Sequence, residues 1–217
     1  MDNPYSLRLY HYWRSSSSWR VRWALQLKGI KCDYVPVNLL SDETENPEYL
    51  RKNPLGYVPV LEVIDAESPI RYLSESIAII EWLEETYPTH SPSLFSGDSF
   101  QKARIRQLAE IINSGTQPLQ NLNVSLFHSS HSEEQKKWNT HWIRRGMQAF
   151  EKLVQETSRL YSVGDTLTLA DLFLIPQCYN ALRNEISLSD YPVIEKIYQA
   201  ALKTESCQDS APDQFQI

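Results

Sequence analysis

The sequence predicts two architectures in one chain, an α/β domain over residues 5–88 followed by an all-helical domain over residues 93–217. Short aromatic or alternating runs interleave with helical periodicities up to Pro88, in the order β-α-β-α-β-β-α, and the strand signal disappears from about Ser91. The stretch THSPSLF, polar and interrupted by proline, suits the boundary between the two.

Leu7 to Tyr12 (LRLYHY) is short and aromatic-rich, as a strand should be. Four serines, Ser15 to Ser18, then precede WRVRWALQLKGI. Val21, Ala24, Leu25 and Lys28 share one side of that run at helical spacing, and Gly29 suits its stop. Cys32 to Leu39 alternates as a strand, and a helix between two strands favours a parallel pair. A short helix is expected over Pro47 to Lys52. Val58 to Val63 and Pro69 to Leu73 read as strands joined by a hairpin loop. Ser74-Glu75-Ser76 leads into IAIIEWLEETYP, where Ile77, Ile80, Leu83 and Tyr87 keep helical spacing until Pro88. This order is that of a thioredoxin-like domain.

In the second half, Phe100 to Leu126 reads as one long helix kinked at Pro118. HSSHSEE reads as a loop, and Glu133 to Glu156 as another helix. Thr168-Leu169-Ala170-Asp171 has the spacing of a capping box, with two helices beyond it, Leu172 to Leu182 and Val193 to Lys203. The polar end SCQDSAPDQFQI is expected to fray.

Composition removes several function classes. Lys+Arg 21 against Asp+Glu 27 gives a net charge of −6 with no basic run, so no nucleic-acid partner is expected. No apolar run approaches the ~18 residues of a membrane span, and the start shows no secretory pattern. Three widely separated cysteines, Cys32, Cys178 and Cys207, read as reduced thiols of a cytoplasmic protein. His128 and His131 lack further ligands at metal spacing, so a polar loop is favoured and no metal is expected. The 6 glycines are scattered, which excludes the paired glycines of dinucleotide and phosphate loops.

Three places carry possible chemistry, each with a plainer reading beside it. The run from Arg14 to Arg22 sits at a strand-to-helix junction, where a helix N-terminus favours an anion and a hydroxyl can donate to a thiolate; the serines could equally serve only as caps. Val58-Pro59 is odd inside a strand pattern: a cis bond would turn the Val58 backbone towards an extended peptide, while an ordinary edge proline is the commoner case. Glu75-Ser76 at a helix start suits an ammonium and a carboxylate, or simply caps the helix. In a β-α-β-α-β-β-α domain all three fall on one edge of the sheet, and together they describe a site for glutathione.

The chain resembles zeta-class glutathione transferases, the group that includes maleylacetoacetate isomerase and bacterial maleylpyruvate isomerases. The signature S-S-C-x-W-R-V-R-x-A-L matches Ser15 to Leu25 except at Ser17, which stands in place of cysteine. Asn53-Pro54 with Val58-Pro59, Ser76 to Glu81, Gln117 to Leu122, Gly164-Asp165 with the Thr168 box, Pro176-Gln177 and Asp190-Tyr191-Pro192 extend the match over nearly the whole chain. The resemblance implies catalysis at Ser15, Ser16 and Ser17, with Ser15 the hydroxyl that activates the thiol. It implies glutathione contacts from Ser15, Ser16, Trp19, Arg20, Val58, Pro59, Glu75 and Ser76, joined by Gln117, Asn121, Leu122 and Asn123 from the helical domain. Arg14 and Arg183 would bind the carboxylates of a small dicarboxylate substrate, and Arg20 and Arg22 would also make structural ion pairs.

The activity so implied is cis–trans isomerisation of maleylacetoacetate, with glutathione as a regenerated cofactor lending its thiolate. A cytoplasmic homodimer is implied as well. The alternatives are maleylpyruvate isomerisation, a general transferase or peroxidase acting on small electrophiles, and a non-catalytic glutathione-fold binding module.

Overall fold

Alternation sets the first strand. In β1 (Ser6–His11) Leu7, Leu9 and His11 are buried, while Arg8 and Tyr10 face the other side. The computed structural model, which describes residues 4–65 and 67–216 apart from the Asp42 side chain, pairs β1 in parallel with β2 (Asp33–Pro36). On its other side β1 runs antiparallel to β3 (Val60–Asp65), which forms an antiparallel hairpin with β4 (Ser68–Ser74). The sheet order is therefore β2-β1-β3-β4, the thioredoxin-like arrangement expected from the sequence. Tyr10 and Val60, on the face opposite Leu9 and Leu61, join Val37, Tyr49 and Val58 in a small cluster.

Helix α1 (Ser16–Leu27) follows β1, and Gly29 takes φ +62°, a conformation that favours glycine, just past its end. The sequence shows one apolar side, yet every residue from Ser18 to Leu25 is buried. The reason lies at the far end of the chain. Instead of fraying, the tail forms α9 (Glu205–Ser210) and a 3₁₀ turn (Pro212–Phe215) that pack on α1. Its polar residues supply acceptors for buried indoles: Trp19 Nε1 donates to Ser210 Oγ at 3.0 Å and Trp23 Nε1 to Ser206 Oγ at 3.1 Å. One compact unit thus comprises the described residues of Met1–Pro92 and of Glu205–Ile217. The tail departs in this from the helical extent 93–217 expected for it.

Two further helices complete that unit, the short α2 (Pro47–Leu50) and α3 (Ser76–Thr86). The buried Lys28 closes it. Its ammonium pairs with Glu84 at 2.7 Å and donates to the carbonyl of His90 at 3.0 Å.

In the second unit, Ser93–Thr204, the regular elements among the described residues are all helices, apart from one isolated bridge. The single long helix expected from Phe100 to Leu126 is three pieces: α4 (Ser99–Asn113), a 3₁₀ turn (Gln117–Gln120) and α5 (Leu122–His128). Pro118 cannot continue an α-helix, because it lacks an N–H and its ring meets the preceding turn. The buried Thr116 hydroxyl donates to the Ile111 carbonyl at 2.7 Å and so takes over an acceptor the helix would have used. Helix α6 (Ser132–Val154) brings Gly146 against Thr116 so closely that a Cβ would lie 1.9 Å from its Oγ1.

Helix α7 (Leu169–Arg183) is almost wholly buried over its first ten residues, and α8 (Pro192–Ala201) follows. The expected box at its start is present. Asp171 accepts from the Thr168 N–H at 2.8 Å and its hydroxyl at 2.9 Å, and its other oxygen accepts from Ser162 N–H at 2.8 Å. Burial raises the Asp171 pKa against those bonds.

Candidate active site

Strand register decides which of the sequence candidates meet. Tyr10 pairs with Val60 and Val60 with Ser74, so the end of β1, the start of β3 and the end of β4 form one row. The Trp13–Ser15 turn, Val58-Pro59 and Glu75-Ser76 therefore lie at the same end of the sheet.

Ser15 is the N-cap of α1, its Oγ accepting from the Ser18 N–H at 3.2 Å. That leaves the hydroxyl proton free to donate outward. Ser16 and Ser17 begin the helix, whose first turn holds no acidic residue to offset its positive end. Ser18 plays a different part: buried, it accepts from the Tyr12 N–H at 3.4 Å and fixes the turn before Ser15.

The Val58-Pro59 bond is cis. Among the described residues neither the N–H nor the C=O of Val58 has a hydrogen-bond partner. The neighbouring Tyr57 carbonyl is held by Tyr49 Oη at 2.9 Å and by the amide of the buried Asn53 at 2.9 Å. Its loop is thus anchored while Val58 keeps an open main-chain edge. The sequence reading used Asn53 only as a motif match.

Glu75, exposed at the N-cap of α3, is held at φ 67° and ψ 115°. An L-residue there is strained, and such strain concentrates at ligand clamps. Ser76, the first helical residue, is buried, and its Oγ accepts from Arg20 at 3.2 Å.

Two expected glutathione contacts are placed differently. Trp19 and Arg20 are buried, the first bonded to Ser210 and the second to Ser76, so they support the site from behind. Arg22, expected to make an ion pair, forms none among the described residues. Its guanidinium donates to the carbonyls of Tyr12, Trp13 and Ser210 at 3.4, 3.0 and 3.0 Å, and approaches His11 Nδ1 at 3.2 Å. Burial lowers its pKa to about 9. Arg14 stays near the surface, its guanidinium 4.9 Å over the Trp13 ring and donating to Tyr12 Oη at 3.2 Å.

In the second unit Gln117 opens the 3₁₀ turn, and the Asn121 side chain caps α5 by accepting from the Asn123 N–H at 3.0 Å. Leu122 and Asn123 are exposed. Trp138 Nε1 donates to the Leu119 carbonyl at 2.6 Å, and the buried Gln177 pairs with Gln120. Both hold this segment on the helices behind it, and residues 57 positions apart in sequence leave no local signal for such a pair. Arg183 is exposed at the end of α7, 5.8 Å over the Tyr179 ring. His128, expected in a loop, ends α5 and stacks on Trp138 at 4.3 Å.

The chain's own thiols are unsuited to nucleophilic work. Burial pushes Cys32 and Cys207 up to about 12 and raises Cys178 as well.

Comparison with known proteins shows the family. Residues 9–92 match the glutathione S-transferase N-terminal domain and residues 119–207 the C-terminal domain. A zeta-class glutathione S-transferase of Euphorbia esula is 42% identical over 97% of this chain and 92% of its own. The chain belongs to the zeta class of the glutathione S-transferase family. Maleylacetoacetate isomerase of Rattus norvegicus is 43% identical over 94% of this chain and 91% of its own. The maleylacetoacetate isomerase of Anaeromyxobacter dehalogenans 2CP-1, solved with GSH in its active site, superposes with a TM-score of 0.88 at 41% identity, covering 98% of both chains. A second structure of that relative, with dicarboxyethyl glutathione and citrate bound in the active site, has a TM-score of 0.88 at 40% identity over 98% of this chain and 97% of its own.

Proposed function

We propose that this chain is a glutathione-dependent cis–trans isomerase acting on maleylacetoacetate. The observation that carries the reading is the convergence, at one sheet end, of three groups that suit the tripeptide. These are the capping hydroxyl of Ser15, the open main-chain edge of Val58 and the Glu75-Ser76 start of α3. The names and bound ligands of the rat and Anaeromyxobacter relatives support the same reading.

When bound, glutathione supplies a thiolate whose reversible addition lets the substrate's double bond rotate. Ser15 donates to that sulfur, while Ser16, Ser17 and the α1 N-terminus favour its negative charge. Val58 pairs with the cysteinyl backbone beside Pro59, as one strand edge pairs with another. Ser76 and the free N–H groups of α3 receive the γ-glutamyl carboxylate, and Glu75 faces the ammonium. Gln117 and Asn121 to Asn123 belong to this reading as lining from the helical domain, and Arg14 and Arg183 as forks for the substrate's carboxylates. Glutathione binding is assigned to residues 5–88. Reduced thiols suit a cytoplasmic setting, and a homodimer, implied by the family, is read directly by sedimentation velocity.

The test follows conversion of maleylacetoacetate and of maleylpyruvate, with and without glutathione, in the native chain and in Ser15→Ala. The reading expects conversion of maleylacetoacetate only with glutathione, and a loss of roughly a hundredfold or more in kcat/KM for the variant. Absence of glutathione-dependent isomerisation of either compound would overturn it. Preference for maleylpyruvate would reassign the substrate.

A further inference from the structure

We infer that the C-terminal segment of this chain, acting through Arg22, positions the turn that presents Ser15. The inference rests on the functional reading above, and its structural half can be judged separately.

Arg22 is fully buried on α1 and has no carboxylate partner among the described residues. A buried cation normally finds an anion; this one finds carbonyls. Two of them, Tyr12 and Trp13, belong to the turn that ends at Ser15, whose own N–H donates to the Tyr12 carbonyl at 3.1 Å. The third belongs to Ser210 in the tail. Phe215, beyond α9, places its ring 4.5 Å from the guanidinium carbon, and the same ring packs edge-on against His11 and Tyr34 at 5.3 and 4.9 Å.

Those contacts have an order. The planar fork of Arg22 reaches several acceptors at once only while its plane is held, and the Phe215 ring is the surface that holds it. Remove the ring, and the guanidinium can rotate away from the Tyr12 and Trp13 carbonyls and draw water into their place. The turn then loses its internal donors, while Ser76 is held by Arg20 and the Tyr57 carbonyl beside Val58 by Tyr49, so both stay put. Arg22 and Phe215 are thus positioning residues: neither touches the cofactor, and both fix where the Ser15 hydroxyl points.

The experiment compares the native chain with Phe215→Ala and Phe215→Tyr, first without glutathione. Amide hydrogen exchange across Trp13 to Ser16 should quicken about tenfold or more in Phe215→Ala, return to native rates in Phe215→Tyr, and stay unchanged at the start of α3. With glutathione, the dissociation constant should hold within about twofold while kcat falls between roughly tenfold and a hundredfold, since small misplacements at a reacting centre have effects of that size. A tail that merely stabilised the fold would quicken exchange across the whole first unit and leave kcat intact, which would overturn the inference. Native exchange at the turn in Phe215→Ala would overturn it too. Should that variant fail to fold, Arg22→Lys, which keeps the charge and loses the fork, is read by the same criteria. If the native chain shows no glutathione-dependent turnover, the functional reading fails, and the exchange result still decides whether the tail positions the turn.

Discussion

Acid should weaken the first unit through His11. Its imidazole is 2% exposed, with Nδ1 facing the Arg22 guanidinium at 3.2 Å and its ring against Tyr34 and Phe215. Burial, and then the Arg22 charge, pull its pKa from 6.5 to about 4. Tyr34, pushed up to about 12, stays neutral throughout this range. The folded value lies below the unfolded one, so the unfolded chain takes up its proton first as the pH falls. The stabilisation is therefore complete above about pH 6.5 and is lost progressively between 6.5 and 4. A separation of 6.5 − 4, at about 1.36 kcal/mol per pH unit, amounts to about 3 kcal/mol by pH 4. Other groups titrate over the same window, so the informative quantity is a difference. His11→Asn keeps an acceptor near the position of Nδ1 and cannot be protonated. Urea midpoints from pH 7 down to about 4 should show the native chain losing about 3 kcal/mol more than the variant. Parallel curves would refute the reasoning.

Substitutions at three other places test separate parts of the structure. Gly146→Ala places a Cβ 1.9 Å from Thr116 Oγ1, so chemical denaturation should register a loss of about 2 kcal/mol. Adding Thr116→Ala should restore part of that loss, whereas simple additivity would mean that the two residues do not meet. Asp171→Ala leaves the buried N–H groups of Ser162 and Thr168 without their acceptor and should destabilise the chain by about 3 kcal/mol, read from the urea midpoint. Arg183→Ala should raise KM for a dicarboxylate about tenfold and leave glutathione affinity and Tm unchanged, because the side chain is exposed; unaltered kinetics would remove it from the site.

What the sequence made legible was local. The N-cap serine, the Thr168–Asp171 box, the strand alternation in β1 and the hairpin before Glu75 each depend on residues within a few positions of one another. Features set by distant residues were not legible. From Phe100 to Leu126 the helical pattern is nearly continuous, and the break at Thr116 is completed by Gly146, thirty positions on. The tail looks polar and free because its serines and Phe215 sit among Gln208, Asp209, Asp213, Gln214 and Gln216, while their partners, Trp19, Arg22 and Trp23, lie on α1. The same distance explains the site. The positions of Ser15, Val58, Glu75 and Ser76 at the sheet end could be placed from motif and strand order. The buried residues Trp19, Arg20 and Arg22 share the motif with them, and a motif does not say which of its members face a ligand and which hold the others in place.

Placement of charge argues for a borrowed nucleophile. A thiolate supplied by the chain would need an accessible cysteine near a helix N-terminus, where the anion is stabilised. Cys32 lies outside the helices, Cys178 lies mid-way along α7, Cys207 is wholly buried in the short α9, and burial raises the pKa of all three. The start of α1 suits a thiolate, since it carries Ser15, Ser16 and Ser17 and no acid in its first turn. A carboxylate there would cancel the helix's positive end, and a cysteine at position 17 would compete for it. Hydroxyls do neither: they donate without adding charge. At α3 the pattern reverses, with exposed Glu75 directly before the N–H groups of Ser76 and its successors, so a negative and a positive field lie side by side. One start is arranged for a single negative charge and the other for a zwitterion, and between them lies the open edge of Val58. In the proposed reading, the ligand that engages all three carries an amino-acid head group, a peptide backbone and an acidic sulfur in that order, as glutathione does.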